Sequence, residues 1–173
     1  MRRPTTKQID DARHKGFRPE VVFCILNNKK ILFVYKEKYN LWQLPQGGIE
    51  NKETIDKAIE REINEELGKE FGTSCDKNFK VIGEDKIEFP QTTQDARELK
   101  TDKGENVFMK GKWYFFATIN AADQNIDIRK TEFDAYRWLS YKDALDFSQE
   151  IYQRGKRRIT LNAIDLLKSF NLL

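Results

Sequence analysis

The chain has 173 residues, which is enough for one domain with a hydrophobic core and too few for two domains of ordinary size. Hydrophobic residues make up 39% and charged residues 34%, and the net charge of +3 neither requires nor excludes an anionic ligand. The single histidine, His14, argues against Ser-His-Asp catalysis and against a metal held by histidines. We find neither a signal peptide nor a stretch of about 20 apolar residues, and expect a cytoplasmic protein that does not enter membranes.

The N-terminal half begins with a polar segment followed by two strand-like runs. We expect residues 1–15 to form a polar N-terminal tail and residues 16–173 to form a single domain. The runs EVVFCIL and KILFVYKE are rich in β-branched and aromatic residues, and Asn27-Asn28 between them predicts a hairpin turn. Pro45, Gly47 and Gly48 then indicate a loop.

Helices and strands alternate through the rest of the chain. A helix is predicted from Glu53 to Leu67, ending at Gly68, and strands are predicted over 80–89, 107–119 and 135–140. Residues 91–106 are predicted to form a long polar loop. Ser140 should begin another helix, and Gly155 should separate it from a final amphipathic helix. This order predicts an α+β fold, an α/β/α sandwich with a mixed β-sheet flanked by helices.

The first long helix carries an unusual group of acidic residues. At 100° per residue, Glu62, Glu65 and Glu66 fall within roughly 100° of one another and border the apolar side of the helix. Like charges at this spacing repel each other. A glutamate-rich helix is usually a solvated face, but three carboxylates beside the core are also the hard oxygen ligands that Mg²⁺ prefers.

The residues around this helix match a known motif. The Nudix box reads G-x5-E-x7-R-E-U-x-E-E-x-G-U, where U is apolar, and the sequence supplies Gly47, Glu53, Arg61-Glu62, Glu65-Glu66 and Gly68 at those spacings. Only Lys69 departs, at the last apolar position. By chance, such a match is expected on the order of once per million chains of this length. The sequence therefore resembles the Nudix hydrolases, and the resemblance implies the Nudix fold.

The resemblance implies a role for each residue of the box. Nudix hydrolases cleave a nucleoside diphosphate linked to another moiety, through attack of water at phosphorus. Carried over by position, Glu62, Glu65, Glu66 and the Gly47 carbonyl would bind two or more Mg²⁺ ions, for which Mn²⁺ could substitute. Glu53, Arg61 and Gly68 would be structural.

Flanking motifs resemble one subgroup of the family. GFRPEVV, WQLPQGGI, KGKWYFF and EFDAYRWLSY are similar to RNA pyrophosphohydrolases and dinucleoside polyphosphate hydrolases. In that subgroup Glu132 would also reach the metals, so the expected catalytic residues are Glu65, Glu66 and Glu132. The resemblance and the chemistry of a charged substrate suggest seven substrate contacts, each of which could instead be an ordinary surface or core residue: Arg18, Lys36, Lys38, Lys112, Tyr114, Phe147 and Tyr152.

Two substrates are consistent with this subgroup. One is 5′-triphosphorylated RNA, from which pyrophosphate would be removed, and the other is diadenosine tetraphosphate, which would be cleaved asymmetrically. The basic stretch RGKRR (Arg154 to Arg158) could follow an RNA backbone, or could simply be a solvated helix start. We favour RNA and expect no DNA substrate. A non-catalytic Nudix module that binds nucleotide or RNA is the alternative of another class.

Overall fold

The computed structural model describes residues 3–90 and 97–173. Within these residues the helices are α1 Thr6–His14, α2 Ile55–Glu66, α3 Lys69–Ser74, α4 Tyr141–Gln149 and α5 Arg154–Ser169. The strands are β1 Phe17–Asn27, β2 Lys30–Lys36, β3 Leu41–Gln43, β4 Gln46–Gly48, β5 Lys80–Glu88, β6 Glu98–Lys100, β7 Asn106–Phe108, β8 Gly111–Asn120 and β9 Ala135–Leu139. Short 3-10 turns lie at Glu37–Tyr39 and Ile128–Lys130. None of the helices in the described ranges is long and apolar enough to span a bilayer.

Seven of the described strands form one mixed sheet, as predicted. The main order is β3-β2-β1-β8-β5, with β4 paired to β1 and β9 paired to β2. The long central strand β1 runs parallel to β8 and antiparallel to β2 and β4. Strands β6 and β7 form a separate antiparallel ribbon.

The two faces of the sheet have separate hydrophobic cores. Alternate residues of β1 point to opposite faces, so Val21 and Phe23 pack on one side and Val22 and Cys24 on the other. The first core includes residues of α1, α2 and α3, and the second includes residues of α4 and α5. Helices therefore cover both faces, which confirms the predicted α/β/α arrangement.

Most predicted boundaries agree with the structure. The β1–β2 hairpin turns at Asn28 and Lys29, whose φ angles of 48° and 59° are typical of a tight hairpin. Thr54 caps α2 by accepting a hydrogen bond from the Lys57 N–H, and Gly68 follows the helix with φ 85°. A left-handed residue at this position commonly ends a helix, as we predicted.

The predicted N-terminal tail is wrong where the structure describes it. Thr6–His14 is helix α1, and its residues Ile9, Ala12 and Arg13 are buried. Thr5 and Gln8 form a reciprocal capping box at its start. The apolar residues are too few to predict a core helix, but α1 packs against the sheet as part of the folded structure.

Several local predictions also differ from the structure. Gly47 and Gly48, expected in a loop, belong to β4, and the strand expected over 107–119 is divided between β7 and β8. Gly155 lies in the first turn of α5 and does not separate the two C-terminal helices, because α4 has already ended at its C-cap, Glu150. The six-residue helix α3 was not predicted. The expected loop 91–106 contains β6 and begins β7, whereas its residues 91–96 lie outside the described residues.

Candidate active site

The loop between β4 and α2 is held by Arg61. Arg61 Nε and Nη2 donate to the two Glu53 carboxylate oxygens at 2.9 and 2.8 Å, and Nη2 also donates to the Gly48 carbonyl at 2.9 Å. Burial raises the pKa of Glu53, but the hydrogen bonds from Arg61 and the Glu50 N–H lower it more, and the net pKa lies below its usual value. This two-point ion pair agrees with the structural role expected for both residues.

Gly47 lies directly beneath the Glu62 carboxyl group. A Cβ atom at Gly47 would lie 2.0 Å from Glu62 Cδ, so only glycine leaves room for this side chain. Arg61 Nη1 donates to Glu62 at 2.8 Å and to Glu65 at 3.2 Å. Burial raises the pKa of Glu62 despite the hydrogen bond from Arg61. The structure therefore brings Glu62, Glu65 and the Gly47 backbone together.

Glu66 lies at the other end of the glutamate group and is only 8% exposed. Its carboxylate accepts a hydrogen bond from the Gln46 N–H at 3.3 Å. Lys36 Nζ lies 3.7 Å from Glu66 and 3.4 Å from Glu132, and the Glu132 N–H donates to the Glu66 carbonyl. Burial raises the pKa of Glu66 to about 8, although Lys36 lowers it. Glu132 thus lies beside the box from 66 residues further along the chain.

A second buried carboxylate, Glu20, was not predicted from the sequence. It forms an ion pair with Lys112 Nζ at 2.6 Å and accepts a hydrogen bond from Gln46 Nε2 at 3.1 Å. Arg18 Nε lies 3.7 Å away, and the Arg18 guanidinium group covers Gly48. The only sequence signal for Glu20 is one acidic residue within an apolar strand. Its contacts keep Arg18 and Lys112 beside the glycine strand.

Further positive charge reaches this region from α5. Burial lowers the pKa of Lys156 to about 8, and the nearby charge of Lys112 lowers it further, while Glu20 and Glu66 act in the opposite direction. Tyr114 is 5% exposed, and burial raises its pKa. Lys156 belongs to the RGKRR stretch noted in the sequence, and it is the member of that stretch that contributes charge to the Glu20 and Glu66 region.

Three predicted substrate contacts interact with residues other than the glutamates of the box. Lys38 is exposed, with its amine over the Tyr39 ring. Phe147 packs edge-to-face against Phe33 and Trp42, as a core residue would. Tyr152 is 57% exposed and donates through its hydroxyl to the Tyr39 carbonyl at 2.8 Å.

The donor set has the chemistry that a hard divalent cation requires. Carboxylate oxygens of Glu62, Glu65 and Glu66 and the backbone of Gly47 are all oxygen ligands suited to Mg²⁺. The missing side chain at Gly47 also lets the Glu62 carboxyl group approach the backbone of the glycine strand closely. Across residues 3–90 and 97–173, no three carboxylate, histidine or cysteine side chains are already arranged as a metal cluster. Arg61 and Lys36 occupy the carboxylates instead, so the side chains would have to turn toward a bound cation.

Known proteins are similar to this chain in sequence. A family model of the NUDIX domain matches residues 16–161. The RNA pyrophosphohydrolase of Stutzerimonas stutzeri (strain A1501) is 30% identical over 155 residues, covering 83% of this chain and 92% of that protein.

Solved structures agree on the fold. The E. coli dihydroneopterin triphosphate pyrophosphohydrolase has a TM-score of 0.56 at 17% identity, covering 86% of this chain and 94% of that one. A C. elegans Ap4A hydrolase, solved as a binary complex, has a TM-score of 0.50 at 16% identity, covering 89% and 97%. The matched domain and the complete set of box carboxylates lead to one conclusion: this chain belongs to the Nudix family, as a hydrolase that acts on phosphoanhydride bonds.

Proposed function

We propose that the protein removes pyrophosphate from the 5′ end of triphosphorylated RNA in a Mg²⁺-dependent reaction. The observation that carries this proposal is the similarity to an RNA pyrophosphohydrolase along 92% of that protein's length. The polar cluster beside the box fits such a substrate because Arg18, Lys36 and Lys112 supply cations around a group of carboxylates. A triphosphate is highly anionic and requires such a lining.

The box residues would bind the cations. We assign Glu62, Glu65, Glu66 and the Gly47 carbonyl as Mg²⁺ ligands, with Glu132 as a further ligand. Bound Mg²⁺ would supply positive charge against the oxygens of the pyrophosphate group. Arg61 would hold the loop in place through Glu53 and Gly48, as its hydrogen bonds to both indicate.

Activation of the attacking water requires a base beside the proposed cation ligands. Glu66 is one candidate, because its carboxylate belongs to the glutamate group and accepts a hydrogen bond from the Gln46 N–H. Glu132 shares the Lys36 amine with Glu66 and is the other candidate. Lys36 would keep both carboxylates at the same side of the site.

Two exposed aromatic side chains offer surfaces on which a nucleobase could stack. Tyr39 is 51% exposed and Tyr152 is 57% exposed, and the Tyr152 hydroxyl donates a hydrogen bond to the Tyr39 carbonyl. Lys38 lies over Tyr39 and adds a cation. Stacking of a base on an aromatic ring contributes about 1–3 kcal/mol, so we propose Tyr152 as a contact for RNA beyond the triphosphate.

The experiment is a direct comparison of substrates. Purified protein with Mg²⁺ is given a 5′-triphosphorylated oligonucleotide or diadenosine tetraphosphate at equal concentration, and kcat/KM is measured for release of pyrophosphate or mononucleotides. We expect a higher value for the oligonucleotide. A strong preference for diadenosine tetraphosphate would replace the RNA proposal with asymmetric dinucleoside polyphosphate hydrolysis, which the fold shared with an Ap4A hydrolase favours as the second candidate.

The same assay tests the non-catalytic alternative. Glu65→Gln and Glu66→Gln keep the size of each side chain and remove its charge. Loss of turnover in these variants, with turnover in the natural sequence, supports catalysis by the box. Equal turnover in all three proteins would contradict the assignment of both glutamates.

A further inference from the structure

The segment joining β4 to α2 is contacted by two parts of the chain outside the Nudix box. We define the box loop as residues 49–53, which follow Gly48 and precede the α2 cap. One contacting part is α1, which lies before the residues matched by the NUDIX domain. The other is the β6–β7 ribbon, within the segment that the sequence predicted as a loop.

Arg13 joins α1 to the box loop from the buried side. Its Nη2 donates to the Ile49 carbonyl at 2.7 Å and to the Glu50 carbonyl at 2.8 Å. Its Nη1 donates to Asp102, in the ribbon turn, at 3.2 Å and lies 3.5 Å from Asp10. The residue is only 3% exposed. A buried guanidinium group with carbonyl and carboxylate partners has a fixed geometry, because its planar donors point in set directions.

Asp102 completes the contact from the ribbon. Its carboxylate accepts a hydrogen bond from the Lys52 N–H at 2.8 Å, and its own N–H donates to Asp10 at 2.8 Å. Asn51 donates from its side chain to the Lys100 carbonyl at 3.0 Å. Four consecutive residues of the box loop, 49–52, are therefore bonded to Arg13 or to the ribbon.

The box loop is thus held by two arginines from opposite sides. Arg61 bonds the Gly48 carbonyl before the loop and the Glu53 carboxylate at its end. Arg13 bonds the Ile49 and Glu50 carbonyls between those points. The loop connects β4, which contains Gly47, to α2, which contains Glu62, and these two residues pack against each other. A shift of the loop would move one proposed cation ligand relative to another.

We propose that Arg13 is a positioning residue for the active site, through which α1 and the β6–β7 ribbon fix the box loop and hence the cation ligands. Arg13 acts through the loop backbone and does not itself contact substrate or cation. This inference rests on the proposed Mg²⁺-dependent hydrolysis. It assigns a role to a helix outside the matched domain and to the ribbon, neither of which the family resemblance explains.

The test compares Arg13→Ala and Arg13→Lys with the natural sequence. Mg²⁺ binding is measured by isothermal titration calorimetry without substrate, and hydrolysis is measured across a Mg²⁺ series. Removal of residues that support metal ligands commonly weakens binding by roughly 10- to 100-fold, and we expect Arg13→Ala to raise both the Mg²⁺ Kd and the half-activating Mg²⁺ concentration roughly 10-fold. We expect kcat to fall while KM at saturating Mg²⁺ changes little. Lysine should restore only part of the loss, because it cannot bond both carbonyls as a planar fork.

Arg3→Ala is the matched control. Arg3 also joins the N-terminal segment to the domain, through hydrogen bonds to Asp56 on α2 at 3.0 Å and to the Phe79 carbonyl. Neither of these partners belongs to the box loop. We expect Mg²⁺ binding of this variant to equal that of the natural sequence. Asp102→Ala is a second test of the same contacts. It removes the acceptor of the Lys52 N–H and one partner of Arg13, but it leaves the hydrogen bonds from Arg13 to the Ile49 and Glu50 carbonyls. We expect a smaller increase in the Mg²⁺ Kd than for Arg13→Ala.

Wild-type Mg²⁺ Kd and kcat in folded Arg13→Ala would overturn the inference. If Arg13→Ala does not fold, an unchanged Mg²⁺ Kd in folded Asp102→Ala would overturn it. Failure of the proposed function has a different outcome, namely that the natural sequence hydrolyses neither substrate. In that case the calorimetric Mg²⁺ Kd of the variants still decides the role of Arg13.

Discussion

Arg61 and Lys36 both bind glutamates of helix α2, but the two groups of contacts differ in geometry and in charge. Arg61 makes close hydrogen bonds of 2.8–2.9 Å to Glu53 and Glu62. Lys36 stays 3.7 Å from Glu66. Correspondingly, the net pKa of Glu53 is lowered and that of Glu66 is raised to about 8.

This difference agrees with the proposed roles, structural for Glu53 and reactive for Glu66. Glu53 is neutralised by a fixed guanidinium group and gains little from a further cation. Glu66 is buried with a distant ammonium group, so ionisation is costly until a closer positive charge arrives. The box loop therefore ends with a carboxylate held by an ion pair, Glu53, and helix α2 ends with a buried carboxylate that, within the described residues, lacks a close cation, Glu66.

Glu66→Gln should have the largest effect. The substitution removes the charge of the proposed ligand and base, and we expect kcat to fall by about 100-fold or more, the scale of losing one strong electrostatic contact in a transition state. Glu60→Gln is the control, because Glu60 lies on the same helix, is exposed, and pairs only distantly with Lys77. Equal losses in both variants would mean that Glu66 has no special role, and pyrophosphate release measures the difference.

Arg61→Ala should have the next largest effect, on stability. It leaves the partly buried Glu53 carboxylate without its main partner, and we expect the free energy of unfolding to fall by about 2–3 kcal/mol, the upper range for hydrogen bonds to charged groups. Arg61→Lys should recover less than half of this, because lysine cannot form the two-point contact. Urea unfolding in EDTA measures both values, and Arg129→Ala, at an exposed surface pair, should show no measurable change. Full recovery by lysine would contradict the geometric argument.

Between neighbouring pH values the stability should change by the smallest amount, at most about 1.4 kcal/mol per pH unit for one proton. Because the folded pKa of Glu66, about 8, exceeds the ordinary value of 4.5, the folded state binds this proton more tightly than the unfolded state. This contribution is complete below pH 4.5 and is lost as pH rises through about 8. Thermal unfolding in EDTA should show a shallower decline for Glu66→Gln over this range. Parallel curves for both proteins would contradict the raised pKa.

Local sequence signals predicted the box helix well. The apolar spacing of α2 and the glycine that follows it, Gly68, act within a few residues of one another, so they can be recognised without the rest of the chain. By contrast, α3 has only six residues and β6 only three. Elements this short have no complete period to detect.

Two residues of the candidate site and its surroundings, Glu20 and Arg13, were not predicted because their contacts are long-range. Glu20 has its partners at Gln46 and Lys112, and Arg13 has its partners at Ile49 and Asp102. Neither residue belongs to a motif with fixed spacing, and each resembles an ordinary surface charge until the fold brings its partners close. Glu132 was found only through family resemblance, for the same reason.

The parallel pairing of β1 with β8 also determines when the site can assemble during synthesis. Glu20 lies opposite Tyr114 in the β1–β8 register and forms an ion pair with Lys112. During synthesis, β1 is therefore made some 90 residues before its partner strand. Closing so large a loop slows folding. A nascent chain that has completed the Nudix box therefore already contains Arg18 and Lys36 but still lacks Lys112, and Lys156 on α5 is translated later still.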